Sequence, residues 1–271
     1  MLLKPDVKLN LLREVLAVPT HYSDTTAMTR YLVAYGLACG WQTTSDKWGN
    51  VFFDKGNSNV KPLVVAHIDT VHPVKDLTIN EHQGRLFATD AKGDQTGIGG
   101  DDKAGVAVCL HLMHLMDDLK AAFFTGEEIG AIGARNAEAA WFDDVGWCVE
   151  FDAPGTGIFS YSSGGVQLFK DEGRAIKTIE RILTFHELTT WQHHPATDVM
   201  VLKHRFNFTC FNVPCGYYNF HTNNEFVDIH EVGIAIRVGE GMLTALGCKS
   251  YPFAASPCTE SKRHVISHYA L

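Results

Sequence analysis

The stretch Phe123-Phe124-Thr125-Gly126-Glu127-Glu128-Ile129-Gly130 sets two adjacent carboxylates directly after an apolar run, Ala121 to Phe124. That run has the make-up of a short buried strand, so the two acids stand at its end with a glycine on either side. Burying a charge without a partner costs several kcal/mol, and two like charges also repel. A chain keeps such a pair at a strand end when a cation or a proton-transfer task needs it there.

Working outward, two further strand signals end in polar residues of the same kind. Pro62-Leu63-Val64-Val65-Ala66 is continuously apolar, as in a strand buried on both faces, and runs into His67-Ile68-Asp69. Residues two apart in an extended chain share a face, so His67 and Asp69 point the same way. Val145 to Phe151 runs into Asp152-Ala153-Pro154-Gly155. Between the first strand and Ala121 lies a segment rich in glycine and aspartate, Thr89 to Gly105, read as a long polar loop. It opens a helix at about Lys103 that continues to Leu115.

Helical spacing is also present over Leu9 to Val18, from Ser23 or Asp24 to Cys39-Gly40, over Ala134 to Trp141, Arg174 to Leu183, Val199 to His204 with Thr197-Asp198 as its cap, and Ile229 to Leu246. Further strands are expected at Val51 to Phe53, within Ile158 to Phe169 and at Phe206 to Phe211. Trp191 to Pro195 reads as a loop. Strands alternating with helices predict a single-domain α/β fold, three layers α/β/α around a mostly parallel, mixed sheet. The expected domain spans residues 1–248, followed by a C-terminal tail, 249–271.

Composition narrows the function. The 271 residues are 45% hydrophobic with a formal net charge of −8, and their charges are interleaved. No basic face for nucleic acid is present, and no run of about 18 apolar residues to cross a membrane. The N-terminus lacks the pattern of a secretory signal. Seven cysteines without CxxC spacing suit reduced core thiols and a cytoplasmic setting. The 14 histidines direct attention to metal chemistry.

His67, Glu127/Glu128, Asp152 and His221 all follow expected strands, and Asp101 lies on a loop entering a helix. In an open α/β sheet the carboxyl ends of the strands form the ligand crevice, so these side chains can converge. Histidine with aspartate and glutamate is a nitrogen and oxygen donor set that suits zinc in an open site, with manganese or cobalt as substitutes. Each residue taken alone has an ordinary reading: a partly buried histidine, a helix cap at Asp101, a turn residue at Asp152. His111 and His114, three apart on a helix, imitate a metal pair but have no carboxylate companion and read as surface or packing residues.

The ordered set His67-x-Asp69, Gly100-Asp101-Asp102-Lys103-Ala104-Gly105, Thr125-Gly126-Glu127-Glu128-Ile129-Gly130, Phe151-Asp152 and Gly216-Tyr217-Tyr218-Asn219-Phe220-His221 resembles the co-catalytic zinc exopeptidases. Asn224-Glu225-Phe226-Val227 follows the last motif, and the match is nearest to peptidase T, aminoacylase and carboxypeptidase G-type enzymes. The resemblance implies two Zn²⁺ ions bridged by Asp101, with His67 and Asp152 completing one site and Glu128 and His221 the other. It further implies Glu127 as general base and Asp69 as a residue orienting the site from behind. The ligand carboxylates offset the charge of the cations and leave Glu127 free to take a proton.

Most relatives insert a lid domain between the residues matching Asp152 and His221. Here the interval is short, so the lid is expected to be missing, with residues 170–195 as its remnant. An oxyanion donor must then come from elsewhere; His193, His194, Tyr217 and Tyr218 are the candidates. The function implied is hydrolysis of an amide bond, first as an aminopeptidase on short peptides. A carboxypeptidase or N-acyl-amino-acid amidohydrolase, and a non-catalytic metal-stabilised binding protein, are the alternatives.

Overall fold

The computed structural model describes residues 5–253. In chain order these form α1 (Pro5–Ala17), α2 (Thr26–Ala38), β1 (Gln42–Ser45), β2 (Val51–Lys55), β3 (Lys61–His67), β4 (Thr78–His82), β5 (Arg85–Thr89), β6 (Gln95–Thr96), α3 (Gly100–Leu115) and β7 (Leu119–Phe124). They continue as α4 (Ile132–Asn136), a 3₁₀ turn at Ala139–Phe142, β8 (Val145–Glu150), β9 (Ile158–Ser163), β10 (Val166–Gln167), α5 (Arg174–Phe185) and β11 (Thr190–His194). The chain closes with α6 (Asp198–Arg205), β12 (Thr209–Asn212), β13 (Tyr217–Tyr218), β14 (Phe226–Asp228) and α7 (Ile229–Leu246).

The central sheet has the order β1-β2-β7-β3-β8-β12. Strands β7, β3, β8 and β12 run parallel, while β1 and β2 join antiparallel at one edge. Every residue of β3, β7 and β8 is buried, which is why their sequences read as unbroken apolar runs. Just past the end of β8 the pleat sends Phe151 toward α3 and α7, where its ring lies beside Gly239 and Leu112. It sends Glu150 the other way, to the first turn of α6, whose Val199 N–H donates to Glu150 Oε2 at 3.1 Å. Helices therefore cover both faces, giving the expected three layers. Helix α3 is buried along nearly its whole length, between β3, α1 and α7.

Gly105 sits where α3 meets the end of β8. A methyl group there would collide with the Asp102 carboxylate and the Phe151 carbonyl oxygen. Overpacking of this kind typically costs 1–3 kcal/mol. Gly105→Ala is expected to lower the melting temperature by roughly 5–10 °C, measured by thermal unfolding.

Two smaller sheets flank the central one. The sheet β13-β14-β5-β4, with β6 on β5, takes only Thr89 and Gln95–Thr96 from the polar loop expected over Thr89 to Gly105, and α3 opens at Gly100, ahead of the expected Lys103. Its strands are short and half-exposed, so no apolar alternation marks them. The sheet β10-β9-β11 contains the second correction. Trp191 to His194, expected as a loop, belongs to β11 and pairs in parallel with β9. Its exposure pattern lacks the alternation of a one-sided strand, which hid it. Helix α5 packs on α7, so residues 174–194 lie against the body of the fold.

Strand β12 starts three residues later than expected, and the helical signal over Ala134 to Trp141 resolves into α4 and the 3₁₀ turn. Helix α7 has the expected bounds. Of the expected tail, residues 254–271 lie outside the described residues. Its first residues run beside β12, where Thr209 N–H donates to Tyr251 O and Tyr251 N–H to Gly146 O. Among the described residues no helix is long and apolar enough to cross a membrane.

Candidate metal centre

The carboxyl edge of the parallel strands is where the acids and histidines gather. His67 is the last residue of β3 and is buried. Its Nδ1 lies 3.0 Å from the Asp69 carbonyl oxygen, which can only accept. Nδ1 therefore carries the hydrogen, and Nε2 faces Asp101 Oδ1 at 3.1 Å and Asp152 Oδ1 at 3.8 Å.

Asp69 is fully buried, with Oδ1 3.6 Å from His67 Nδ1, and its carboxylate also reaches the turn after β7. Its two oxygens accept from Glu127 N–H at 3.1 Å and Glu128 N–H at 3.2 Å, so one side chain fixes the main chain of both glutamates. Asp69 thus ties the end of β3 to the turn after β7.

Asp101 opens α3 with non-helical backbone angles, and its peptide bond to Asp102 is cis. Glu225, at the start of the β14 hairpin arm, accepts from Asp101 N–H at 3.0 Å and from Gly99 N–H at 2.8 Å. Asp102 points away from the crevice and accepts from His67 N–H and Gly105 N–H. Asp152 follows β8, and the Asn212 side-chain amide clamps its N–H and C=O from β12 at 3.0 and 2.7 Å. The Tyr217 hydroxyl donates to Asp152 Oδ1 at 3.0 Å. His221 arrives from the β13–β14 connection, not from the central sheet, with φ of 61°. Its Nε2 lies 2.9 Å from Glu128 Oε1 and 3.3 Å from Asp101 Oδ2.

These placements make two groups of donor atoms, each group within 4.8 Å of itself: His67, Asp101 and Asp152, and Asp101, Glu128 and His221. Asp101 belongs to both, one oxygen to each side. Glu127 lines the same cavity and belongs to neither.

The electrostatics are those of acids crowded for a cation. Burial opposes a charge on His67, yet its hydrogen bonds with Asp101 and Asp69 and the charges of Asp152 and Glu127 lift its pKa well above the ordinary histidine value. Hydrogen bonds donated by His221 to Asp101 and Glu128 push its pKa up to about 10, against the opposing effect of burial. Burial also works against ionised Asp101, but its bonds to His221 and His67 hold it below the usual carboxylate range. Burial raises Asp152 and Glu127 well above it, with neighbouring acids adding to the rise. Without a cation, protons on the histidines stand in for one.

A cavity of about 460 Å³ opens over this cluster, within the range of small-ligand sites. Of the four oxyanion candidates, Tyr217 already donates to Asp152, and the Tyr218 hydroxyl donates to Glu231 Oε1 at 2.9 Å. His193 and His194 both line the cavity. His111 is buried within α3, and His114 Nε2 lies 2.8 Å from the Tyr35 hydroxyl; neither belongs to a donor group.

Sequence reasoning gave no role to Asp102, Asn212 or Glu150. Asp102 and Glu225 stood inside quoted motifs; Asn212 carried no local signal. Asp198, expected to help cap α6, is instead buried beneath the crevice. Both its oxygens and Glu150 Oε1 find no hydrogen-bond partner among the described residues. Burial raises both acids, Glu150 to about 7.

No family model matches the sequence, and no curated protein matches it. Solved structures do match its fold. Aminopeptidase PepT from Bacillus cereus ATCC 10987 superposes with a TM-score of 0.78 at 12% identity, over 90% of this chain and 99% of that one. A tripeptidase from Staphylococcus aureus gives 0.76 at 13% identity, over 89% and 98%. An aminopeptidase from the archaeon Desulfurococcus kamchatkensis gives 0.64 at 14% identity, over 90% and 98%. The chain shares the α/β fold of these peptidases.

Proposed function

We propose that this protein is a metal-dependent exopeptidase, an aminopeptidase that cleaves the first peptide bond of short peptides. The observation that carries the reading is the pair of donor groups sharing Asp101, with the Glu127 carboxylate beside them and outside both. His67, Asp101 and Asp152 would hold one ion, and Asp101, Glu128 and His221 the other. Zinc fits the nitrogen and oxygen donors, with manganese or cobalt as substitutes. Bound there, the two cations supply Lewis acidity toward a carbonyl oxygen and toward water.

The chain's own residues do the rest. Glu127 takes a proton from the attacking water as the new C–O bond forms, and delivers it to the amide nitrogen as the C–N bond breaks. Burial raises its pKa above the ordinary glutamate value. Asp69 holds the Glu127 and Glu128 N–H groups, so both carboxylates keep their aim. His193 and His194 are the remaining side-chain candidates for the oxyanion. Among the described residues no lysine or arginine lines the cavity to pair with a substrate carboxylate, which supports an aminopeptidase ahead of a carboxypeptidase or an N-acyl amidohydrolase. A purely structural metal site has no use for a free Glu127. The free thiols of the described cysteines support a reducing compartment such as the cytoplasm.

Purified protein loaded with zinc, manganese or cobalt is expected to release N-terminal residues from di- and tripeptides, and chelation to stop it. Loaded protein that cleaves no peptide across a broad panel contradicts the reading. Metal binding is also expected to expel protons, because His221 keeps its proton up to about pH 10 in the metal-free site. Apparent metal affinity should rise with pH toward that value. Calorimetry at pH 7 in buffers of different ionisation enthalpy should show at least one proton released per protein. A binding heat independent of the buffer contradicts this.

A further inference from the structure

Apart from the donor residues and Glu127, the described lining of the cavity holds no acid. Among the described residues no lysine or arginine lines it. The floor and walls are apolar in part, with Ile158, Ala153 and Phe220, and polar in part, with Ser160, Gln192 and His194. Away from the metal centre, a substrate's C-terminal carboxylate therefore finds no cationic side chain among the described residues to pair with, and apolar surface beside it.

The polar part is built by β9 and β11. A register shift between Gln192 and His193 breaks the strict alternation of the paired strands. As a result Gln192, His193 and His194, three consecutive residues, all line the cavity. Ser160 Oγ and His194 Nδ1 are both buried and make no hydrogen bond of good geometry among the described residues, the Pro195 carbonyl being the acceptor that acts on the His194 ring. Such groups are rare in folded proteins and ask for a missing partner. Burial pushes His194 down to about 4, so it is an uncharged imidazole at neutral pH. A serine hydroxyl and a neutral imidazole each offer donor and acceptor, which suits the C=O and N–H of a peptide main chain.

We propose that the cavity reads its peptide through neutral hydrogen bonds from Ser160 and His194 to the substrate main chain, and does not read the substrate's C-terminal carboxylate. This rests on the peptidase reading above. Peptides blocked at the C-terminus as amides, and peptides extended beyond the cavity, are then substrates as good as the free acids of short ones.

The test compares Leu-Gly-Gly with its C-terminal amide. With metal-loaded wild-type protein the two kcat/KM values are expected to agree within about threefold. A tenfold or greater preference for the free acid overturns the proposal. If neither is cleaved the peptidase reading fails, and binding decides the present inference separately. Calorimetry with metal-loaded Glu127→Gln should give Kd values for the two peptides within about threefold; a tenfold tighter free acid, or no binding of either, overturns it. Ser160→Ala and His194→Gln should each raise KM, or the Kd where nothing is cleaved, about tenfold for both peptides alike. Ser160→Ala removes an unpartnered buried hydroxyl, so its melting temperature should not fall while its binding weakens. Unchanged KM and Kd in both variants overturns their role.

Discussion

Replacing Glu127 by Gln is expected to lower kcat about a thousandfold and leave the metal content unchanged. A positioned general base contributes typically 10²–10⁴-fold, and glutamine keeps the shape while losing the proton affinity. The separation of the two effects follows from the geometry. Glu127 supplies no atom to either donor group, whereas its neighbour Glu128 lies 2.9 Å from His221 Nε2 within one of them. Its main chain is fixed by Asp69 at 3.1 Å, a bond that the substitution does not touch. The checks are steady-state kinetics and elemental analysis on the same preparation. A variant within tenfold of wild type removes Glu127 from the chemistry; a variant that has lost its metal makes it a ligand.

The second large effect is expected at Asp101. Asp101→Asn should lose both ions and fall to background activity, because Asp101 is the one residue common to both donor groups. Its two oxygens face opposite ways, Oδ1 toward His67 and Oδ2 toward His221. A neutral amide replaces one of those oxygens by a nitrogen that cannot ligate and removes a charge needed by both cations. Its backbone anchor on Glu225 is retained, so the variant should stay folded. His221→Ala is the contrasting case. His221 is 41% exposed at the rim and serves only one group, so that variant should keep the ion of the buried His67, Asp101 and Asp152 group. Metal-to-protein ratios near zero for Asp101→Asn and near one for His221→Ala are the expected pattern. Equal losses in the two variants contradict it.

What could be read from the sequence follows from how local each signal is. β3, β7 and β8 are buried on both faces, so their runs of apolar residues announced them, and the polar residues at their ends marked the crevice. The closing helix α7 was legible through its periodicity and ended where the pattern ended. The edge elements were not. β4 and β11 are half-exposed and lack alternation, and their identity depends on the strands they pair with.

The same distinction holds within the site. The motifs point to His67, Asp101, Glu127, Glu128, Asp152 and His221, and the fold brings them together. The residues that hold them in place act across the chain: Asp69 on Glu127 58 residues away, Asn212 on Asp152 60 residues away, Glu225 on Gly99 126 residues away. Asp69 was expected to steer the site from behind, but its grip on two consecutive N–H groups is a tertiary fact that spacing does not encode. Asp198 misled for a related reason. Aspartate beside threonine at a helix start reads as a surface cap, whereas here the helix start is packed under the crevice and the carboxyl is buried with it.

The most direct measurement of the central claim is an anomalous difference map from crystals of zinc-loaded protein, recorded on both sides of the zinc edge. Two peaks are expected, one among His67, Asp101 and Asp152 and one among Asp101, Glu128 and His221, with none at Glu127. A single peak, a peak elsewhere, or an empty crevice in fully loaded protein contradicts a shared two-metal centre.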